Sequence, residues 1–396
     1  MEAAAESHRF PRLVVNDKAA VRIARGHRWV FSNDVQKAPV DAVPGGEVAV
    51  FDPKEEFLGS ALCNPHALLM ARLYSRRSEA FDEILIRARI AESLARRERS
   101  QPGREAFRAV FSESDGLPGL VVDRYGPVVV FQLLTLSMEQ RRDVIVAALK
   151  DLMTPECIVE RSDVPARQHE SLPERSEVVF GALPESLFVL INGISFSVDP
   201  LRGQKTGLFL DQAANWALVE GLAKGRKVLD LFSHAGGFSM HAARGGAEWV
   251  KAVDQSDDAL SSLMLNAERN GLQRIRARNS DAFLYVRSRP DVFDLVICDP
   301  PPFARSRKQL EGALRGYREL NRHCMKLLEP GGILFTASCS AAVSGEDFDK
   351  MLAISARDAG RSFRVLPGGG QPADHAPLLA MPETNYLKAR ILEAVD

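Results

Sequence analysis

The residues best able to do chemistry fall at two strand tips: Asp299, heading Asp299-Pro-Pro-Pro-Phe303, and the thiol Cys339 in Ala337-Ser-Cys-Ser340. Consecutive prolines fix φ and remove N–H donors, so the apolar run from Phe293 to Cys298 must stop at Asp299 and enter a stiff, extended loop. In an open α/β sheet, ligands bind outside the carboxyl ends of the strands. An acid, a rigid shelf and a nucleophile at such ends predict chemistry on a flat base.

A second set is acidic. Asp230 closes the strand-like run Lys227–Phe232 ahead of a Gly236-Gly237 turn, Asp254 ends the next run from Trp249, and Asp281 follows a third at Ile275–Arg278. Backbone at a glycine turn approaches a ligand at a helix N-terminus, and an acid ending the next strand suits two ribose hydroxyls. The same geometry serves NAD. The Gly-x-Gly-x-x-Gly pattern is absent, however, because Phe238 stands at its second required position. A pyrophosphate is therefore poorly cradled. The alternative nucleoside is S-adenosylmethionine, with its amino-acid end near Asp230 and the glycines and its adenine amine donating to Asp281.

The elements that must position these residues occupy the last of three expected segments. Residues 1–78 alternate in short apolar runs broken by turn signals, which predicts a small β-barrel. Residues 79–198 read as a compact α+β module with helices over Asp82–Arg99 and Met138–Leu152. From 199 to 396, strand and helix alternate at the spacing of a doubly wound parallel sheet. At 396 residues, 45% hydrophobic and 26% charged, the chain has the composition of a soluble globular protein with more than one core.

Net charge of −1 excludes a uniformly basic nucleic-acid binder but not a local basic face. Arg72, Arg76 and Arg77, then Arg87, Arg89, Arg96, Arg97 and Arg99, form one arginine-dense stretch, and Arg305, Arg307 and Lys308 another. No run approaches the ~20 apolar residues of a membrane helix. The acidic Met1–Glu6 segment lacks a signal core, which argues against secretion. Cysteines 63, 157, 298, 324 and 339 form no Cys-x-x-Cys pair, so neither a disulfide framework nor a zinc site follows, and a reducing cytoplasm fits. Alternation turns Cys298 away from Asp299 into the layer between sheet and helix. Cys63, Cys157, Cys324 and His375 read as structural.

Together these motifs resemble the ribosomal large-subunit methyltransferase I family. Gly26-His-Arg-Trp-Val-Phe-Ser32 resembles its N-terminal PUA domain and Glu113-Ser-Asp-Gly-Leu-Pro-Gly-Leu-Val-Val-Asp123 its central module. Gly203-Gln-Lys-Thr-Gly-Leu-Phe-Leu-Asp-Gln212, Gly236-Gly-Phe238, the proline loop, Arg315-Gly-Tyr317, Ser338-Cys-Ser340 and Tyr386-Leu-Lys388 resemble its class I methyltransferase domain. The chain departs from the family pattern at Ala213 and Trp216, where arginines are usual, at Ile191, and at Ser233-His-Ala235. The first of these departures removes an expected salt bridge.

The resemblance implies 5-methylcytosine formation in large-subunit rRNA. Carbon 5 of cytosine is too weak a nucleophile alone; adding the Cys339 thiolate to carbon 6 makes it enamine-like. Asp299 or Glu383 then removes the carbon 5 proton. On this reading Phe209, Asp211, Gln212, Asp230, Phe232, Gly236, Gly237, Asp254, Asp281 and Asp299 hold S-adenosylmethionine. Pro300, Pro301 and Phe303 hold the base, and Arg305, Lys308, Arg28 and Trp29 contact RNA. A homodimer is implied as well; no metal and no membrane enter. Two alternatives remain: amino methylation of guanine or adenine, which needs no thiol, and a non-catalytic RNA-binding assembly factor.

Overall fold

The structure, a computed structural model, describes residues 9–39, 41–288, 291–304 and 306–396; Arg305 and the Met1–Glu6 segment invoked above lie outside the described residues. It divides into two compact units: 1–187 with 198–208 and 373–384, and 188–197 with 209–372 and 385–396. No helix among the described residues is long and apolar enough to cross a membrane.

The second unit is built on seven strands: β1 (Lys227–Leu231), β2 (Trp249–Asp254), β3 (Ile275–Asn279), β4 (Phe293–Cys298), β5 (Leu328–Ser338), β6 (Phe363–Leu366) and β7 (Lys388–Ala394). Their order in the sheet is β3-β2-β1-β4-β5-β7-β6, and β7 alone runs antiparallel to its neighbours. Helices α1 (Ala213–Leu222), α2 (Gly237–Arg244), α3 (Asp257–Arg269), α4 (Ala282–Arg287), α5 (Leu310–Lys326) and α6 (Gly345–Ala359) alternate with the strands. Parallel strands covered on both faces read as unbroken apolar runs, and Leu229, Leu231, Val296, Leu334 and Phe348 are all fully buried in one core. The order of strands reverses between β1 and β4, which opens a crevice outside their carboxyl ends.

Helix limits follow local chemistry. The α3 helix begins at Ser256, whose hydroxyl accepts from Ala259 N, and gives way to Gly271 at φ +66°, the stop that Asn270-Gly271 predicts. Cys298 and Cys324 meet in the layer between β4 and α5, where burial pushes the Cys298 thiol well up, in keeping with strand alternation.

The first unit holds a six-stranded sheet and a five-stranded sheet. The six-stranded one, of residues 12–75, closes on Leu13, Val15, Ile23, Val30, Val48 and Val50. The five-stranded one, of residues 106–181, packs on helices Glu83–Ser100 and Arg142–Met153. The helix expected from Met138 is broken: Leu136–Glu139 ends and Arg142–Met153 begins anew. Arg141 between them leaves helical geometry while its guanidinium reaches the carbonyls of Phe81 and Gly45.

The arginine-dense stretch is divided: Arg76, Arg77 and Arg99 are exposed, and others take partners within the unit. Arg72 pairs with Glu113, Arg96 and Arg97 with Asp115, and Arg89 with the Gly116 carbonyl. Burying a cation demands such partners.

Candidate active site

Five strand ends of the second unit, those of β1 to β5, supply the candidate residues. On β1, Asp230 is fully buried; its Oδ2 accepts from Ser239 Oγ at 2.6 Å, while Oδ1 is buried without a hydrogen-bond partner. Burial, with Asp299 and Asp254 adding negative field, pushes its carboxyl up to about 7. The turn that follows is strained: Phe232 and His234 hold φ of +60° and +46°, values unusual outside glycine. Asp254, ending β2, holds that turn by accepting from His234 N at 3.0 Å, and its other oxygen accepts from Ser256 N at 3.0 Å.

The Gly236-Gly237 pair is required by its surroundings. Gly236 lies at φ +89°, and a Cβ on Gly237 would fall 2.3 Å from Trp216 Cε2. Trp216 is thus not a bare loss of an arginine: it is buried, stacks on Phe196 at 5.3 Å between ring centres, and sets its edge on Phe238. His241 fixes the turn from below, its ring nitrogen Nδ1 at 2.8 Å from the Gly237 carbonyl. Burial lowers this histidine to about 4, so it is neutral and donates from Nδ1. Phe209 meets His234 edge-on at 5.1 Å.

Asp281 caps α4 by accepting from Leu284 N at 2.9 Å. Asp211 accepts from Tyr386 OH at 2.7 Å. Gln212 donates from Nε2 to Asp299 Oδ2 at 2.8 Å, and its amide is oriented by Asn215, which donates to Gln212 Oε1 at 2.5 Å and to the Gly370 carbonyl at 3.1 Å. The acid at the head of the proline loop is therefore aimed by a relay of two amides.

The tips of β4 and β5 converge. Cys339 Sγ lies 3.9 Å from the Pro300 carbonyl, within reach of a weak S–H···O contact. Pro300 is buried, whereas Pro301 and Pro302 are exposed. Phe303 packs on the Tyr317 ring at 4.5 Å, and Tyr317 OH meets Ser340 Oγ at 2.9 Å. Ser340 Oγ also accepts from Ala304 N at 3.1 Å, so one hydroxyl joins both loops. Lys308 stands exposed beyond the loop. Lys388, opposite Ser338 in the β5–β7 register, donates to the carbonyls of Ser340 and Tyr386, each at 2.7 Å.

The second unit thus gathers Asp299, Cys339 and every residue expected at the cofactor. The first unit holds the remaining three candidates. Arg28 and Trp29 donate to Glu113, through its carbonyl and its carboxylate, each at 2.8 Å. Glu383 pairs with His27 Nε2 at 3.3 Å, which holds its carboxyl below the usual range. Sequence reasoning missed Ser239, His241, Asn215 and Lys388, because an isolated polar residue carries no mark of which buried atom it will meet. For Lys388 the Tyr386-Leu-Lys388 motif was the available signal.

A profile of S-adenosylmethionine-dependent methyltransferases matches residues 120–369, and one of PUA-like domains matches residues 13–76. Proteins named ribosomal RNA large subunit methyltransferase I from Vibrio cholerae, Photobacterium profundum and Klebsiella pneumoniae are 38%, 39% and 36% identical to this chain. Those matches cover 92%, 92% and 96% of it, and 95%, 95% and 97% of theirs. A solved structure described as a methyltransferase in complex with S-adenosylhomocysteine superposes with TM-score 0.84 at 25% identity, over 97% of this chain and 100% of that one. Another, described as a SAM-dependent methyltransferase from Streptococcus mutans, gives 0.83 at 25% identity over the same shares. The chain belongs to the ribosomal RNA large subunit methyltransferase I family, whose methyl donor is S-adenosylmethionine.

Proposed function

We propose that this protein methylates carbon 5 of cytosine in large-subunit ribosomal RNA through a transient bond to Cys339. The observation that carries this reading is the 3.9 Å approach of the Cys339 thiol to the Pro300 carbonyl, which puts a nucleophile against a rigid shelf beside an acid. The names of the relatives support rRNA as the substrate, and the PUA-like match supports an RNA-binding first unit.

The residues present fit the cofactor. Asp230 Oδ1 is a buried acceptor with no donor, a condition that costs about 1–3 kcal/mol until something supplies one. A carboxyl raised to about 7 is relieved by a neighbouring cation, and the ammonium of S-adenosylmethionine is both donor and cation. Phe209, Asp211, Gln212, Phe232, Gly236, Gly237, Asp254 and Asp281 line the remainder on this assignment. When bound, the cofactor supplies an electrophilic methyl group.

The chain's own groups do the rest. Cys339 donates an electron pair to carbon 6 of the cytosine, and the 5,6-double-bond electrons move so that carbon 5 becomes nucleophilic. Pro300, Pro301 and Phe303 hold the ring, which has left its stack at a cost of a few kcal/mol. After methylation, Asp299 takes the proton from carbon 5, the 5,6-double bond re-forms, and sulfur leaves carbon 6 as thiolate. We assign the base to Asp299 rather than Glu383, whose carboxyl is held low by His27.

RNA carrying 5-fluorocytidine has no carbon 5 proton to surrender, so it is expected to remain bonded to Cys339 in a complex that survives denaturation. Cys339→Ala is expected to form no such complex and to lose methyl transfer by roughly a thousandfold or more, with cofactor binding intact. Retained transfer in that variant, mapped by nucleoside mass spectrometry to an exocyclic amine, replaces this reading with amino methylation.

A further inference from the structure

A buried cation beside a nucleophilic sulfur needs an account that the covalent mechanism leaves open. Lys388 is 7% exposed, yet its ammonium meets two backbone carbonyls and no carboxylate of a described residue. Removing an ammonium from water without an anion is expensive. Its anchor points are informative. Ser340, whose carbonyl it binds, directly follows Cys339, and Ser338, which precedes it, is the register partner of Lys388 across β5 and β7. The lysine's backbone therefore pairs with the residue before the cysteine, and its ammonium binds the residue after it. An ammonium has three N–H donors, so one remains beyond the two carbonyls.

We propose that Lys388 is the counter-charge of the Cys339 thiolate, its ammonium fixed on the Ser340 and Tyr386 carbonyls so that the sulfur stands ready as an anion. The inference rests on the covalent reading above. A thiolate, not a thiol, is the nucleophile, and an adjacent lysine favours it.

The carboxylates on this side of the site oppose a second negative charge, and the nearby phenols are uncharged at neutral pH. Asp299 precedes Pro300, whose carbonyl accepts from the neutral thiol, and the Tyr317 hydroxyl on α5 is already engaged by Ser340. Asp230 on β1 adds negative field toward Asp299. Tyr386 gives its hydroxyl to Asp211. Lys388 sets positive charge against them. Burial, partly offset by the negative charge of Cys339, holds its pKa down at about 8, so the ammonium form prevails at neutral pH.

The test is the pH dependence of Cys339 alkylation by iodoacetamide in the full-length protein without RNA, read on the Cys339 peptide by mass spectrometry. Lys388→Met and Lys388→Gln are expected to raise the midpoint by about one pH unit or more, which slows alkylation at pH 7 about tenfold. Lys388→Arg keeps the charge and is expected to hold the wild-type midpoint. An unmoved midpoint in either neutral variant, with cofactor binding retained in calorimetry, overturns the proposal. Should both lose cofactor binding, the wild-type protein decides: a midpoint at or above the ~8.5 of a free thiol rejects the counter-charge, and one below it supports it. A shifted midpoint with no RNA adduct sinks the cytosine reading alone, and an adduct with an unshifted midpoint sinks only the lysine's role.

Discussion

The cofactor role proposed for Asp230 makes one carboxyl couple protonation to ligand binding. With its carboxyl at about 7 in the folded protein and ~3.9 in the unfolded chain, the native state holds the extra proton between those values. The free protein is therefore expected to lose stability as pH rises from about 4 to 7, and to lose no more from this group above that. On the proposed assignment, cofactor binding demands the ionised form and should release a proton near neutrality. Affinity for S-adenosylmethionine is expected to fall about tenfold per pH unit below 7, and Asp230→Asn should flatten that slope; calorimetry in buffers of different ionisation enthalpy checks both. The position of Asp230, Asp254, Asp299 and Cys339 at or beside strand ends was legible in the sequence, because each closes an apolar run and a strand end is visible as a change of composition. For Lys388 the Tyr386-Leu-Lys388 motif was a signal, but its burial was not legible, since nothing in a string of letters says that a lysine is buried. The uses of Asp254 and Asp281 as holders of backbone N–H groups were equally hidden, because a cap and a ligand contact demand the same residue type.

Among the elements, α1 and α2 are set by the fit of Trp216 over Gly237. A Cβ placed 2.3 Å from the indole must displace it or the turn. Gly237→Ala is expected to cost about 1–3 kcal/mol of stability and to weaken cofactor binding more than it slows the bound complex, which separates as a rise in KM against kcat. Replacing Tyr317 by Phe removes the hydroxyl that meets Ser340 and leaves the packing on Phe303 in place, so the loop is loosened and the core is not. Methyl transfer should drop about tenfold or more with melting temperature nearly unchanged, because misplacement of a reacting group costs rate rather than stability. Strand-helix alternation made the doubly wound sheet readable, and the Asn270-Gly271 stop was read correctly. The break at Arg141 was not, since it depends on a guanidinium reaching Gly45 and Phe81, far away in the chain.

For the molecule as a whole, charge density in the sequence overstated the basic surface. Arg76, Arg77 and Arg99 of the arginine-dense stretch are exposed, but Arg72, Arg96 and Arg97 are committed to Glu113 and Asp115. Arg307 and Lys308, in contrast, are exposed beside the proline loop. Removing either is expected to reduce the slope of log affinity for RNA against log salt by about one, whereas Arg97→Ala should lower the melting temperature and leave that slope alone. Fluorescence anisotropy across a salt series, beside thermal denaturation, distinguishes the two.

The first unit is assembled from three separate stretches of chain, the last of them 373–384. Asp374 in that stretch accepts from Arg108 N, its carbonyl accepts from Arg97, and Glu383 pairs with His27. A ribosome making this protein therefore emits the beginning of the unit long before its closing piece. Between those moments Arg97 and Arg108 wait with a missing acceptor, and the amino-terminal unit stays unfinished until residues 373–384 have emerged.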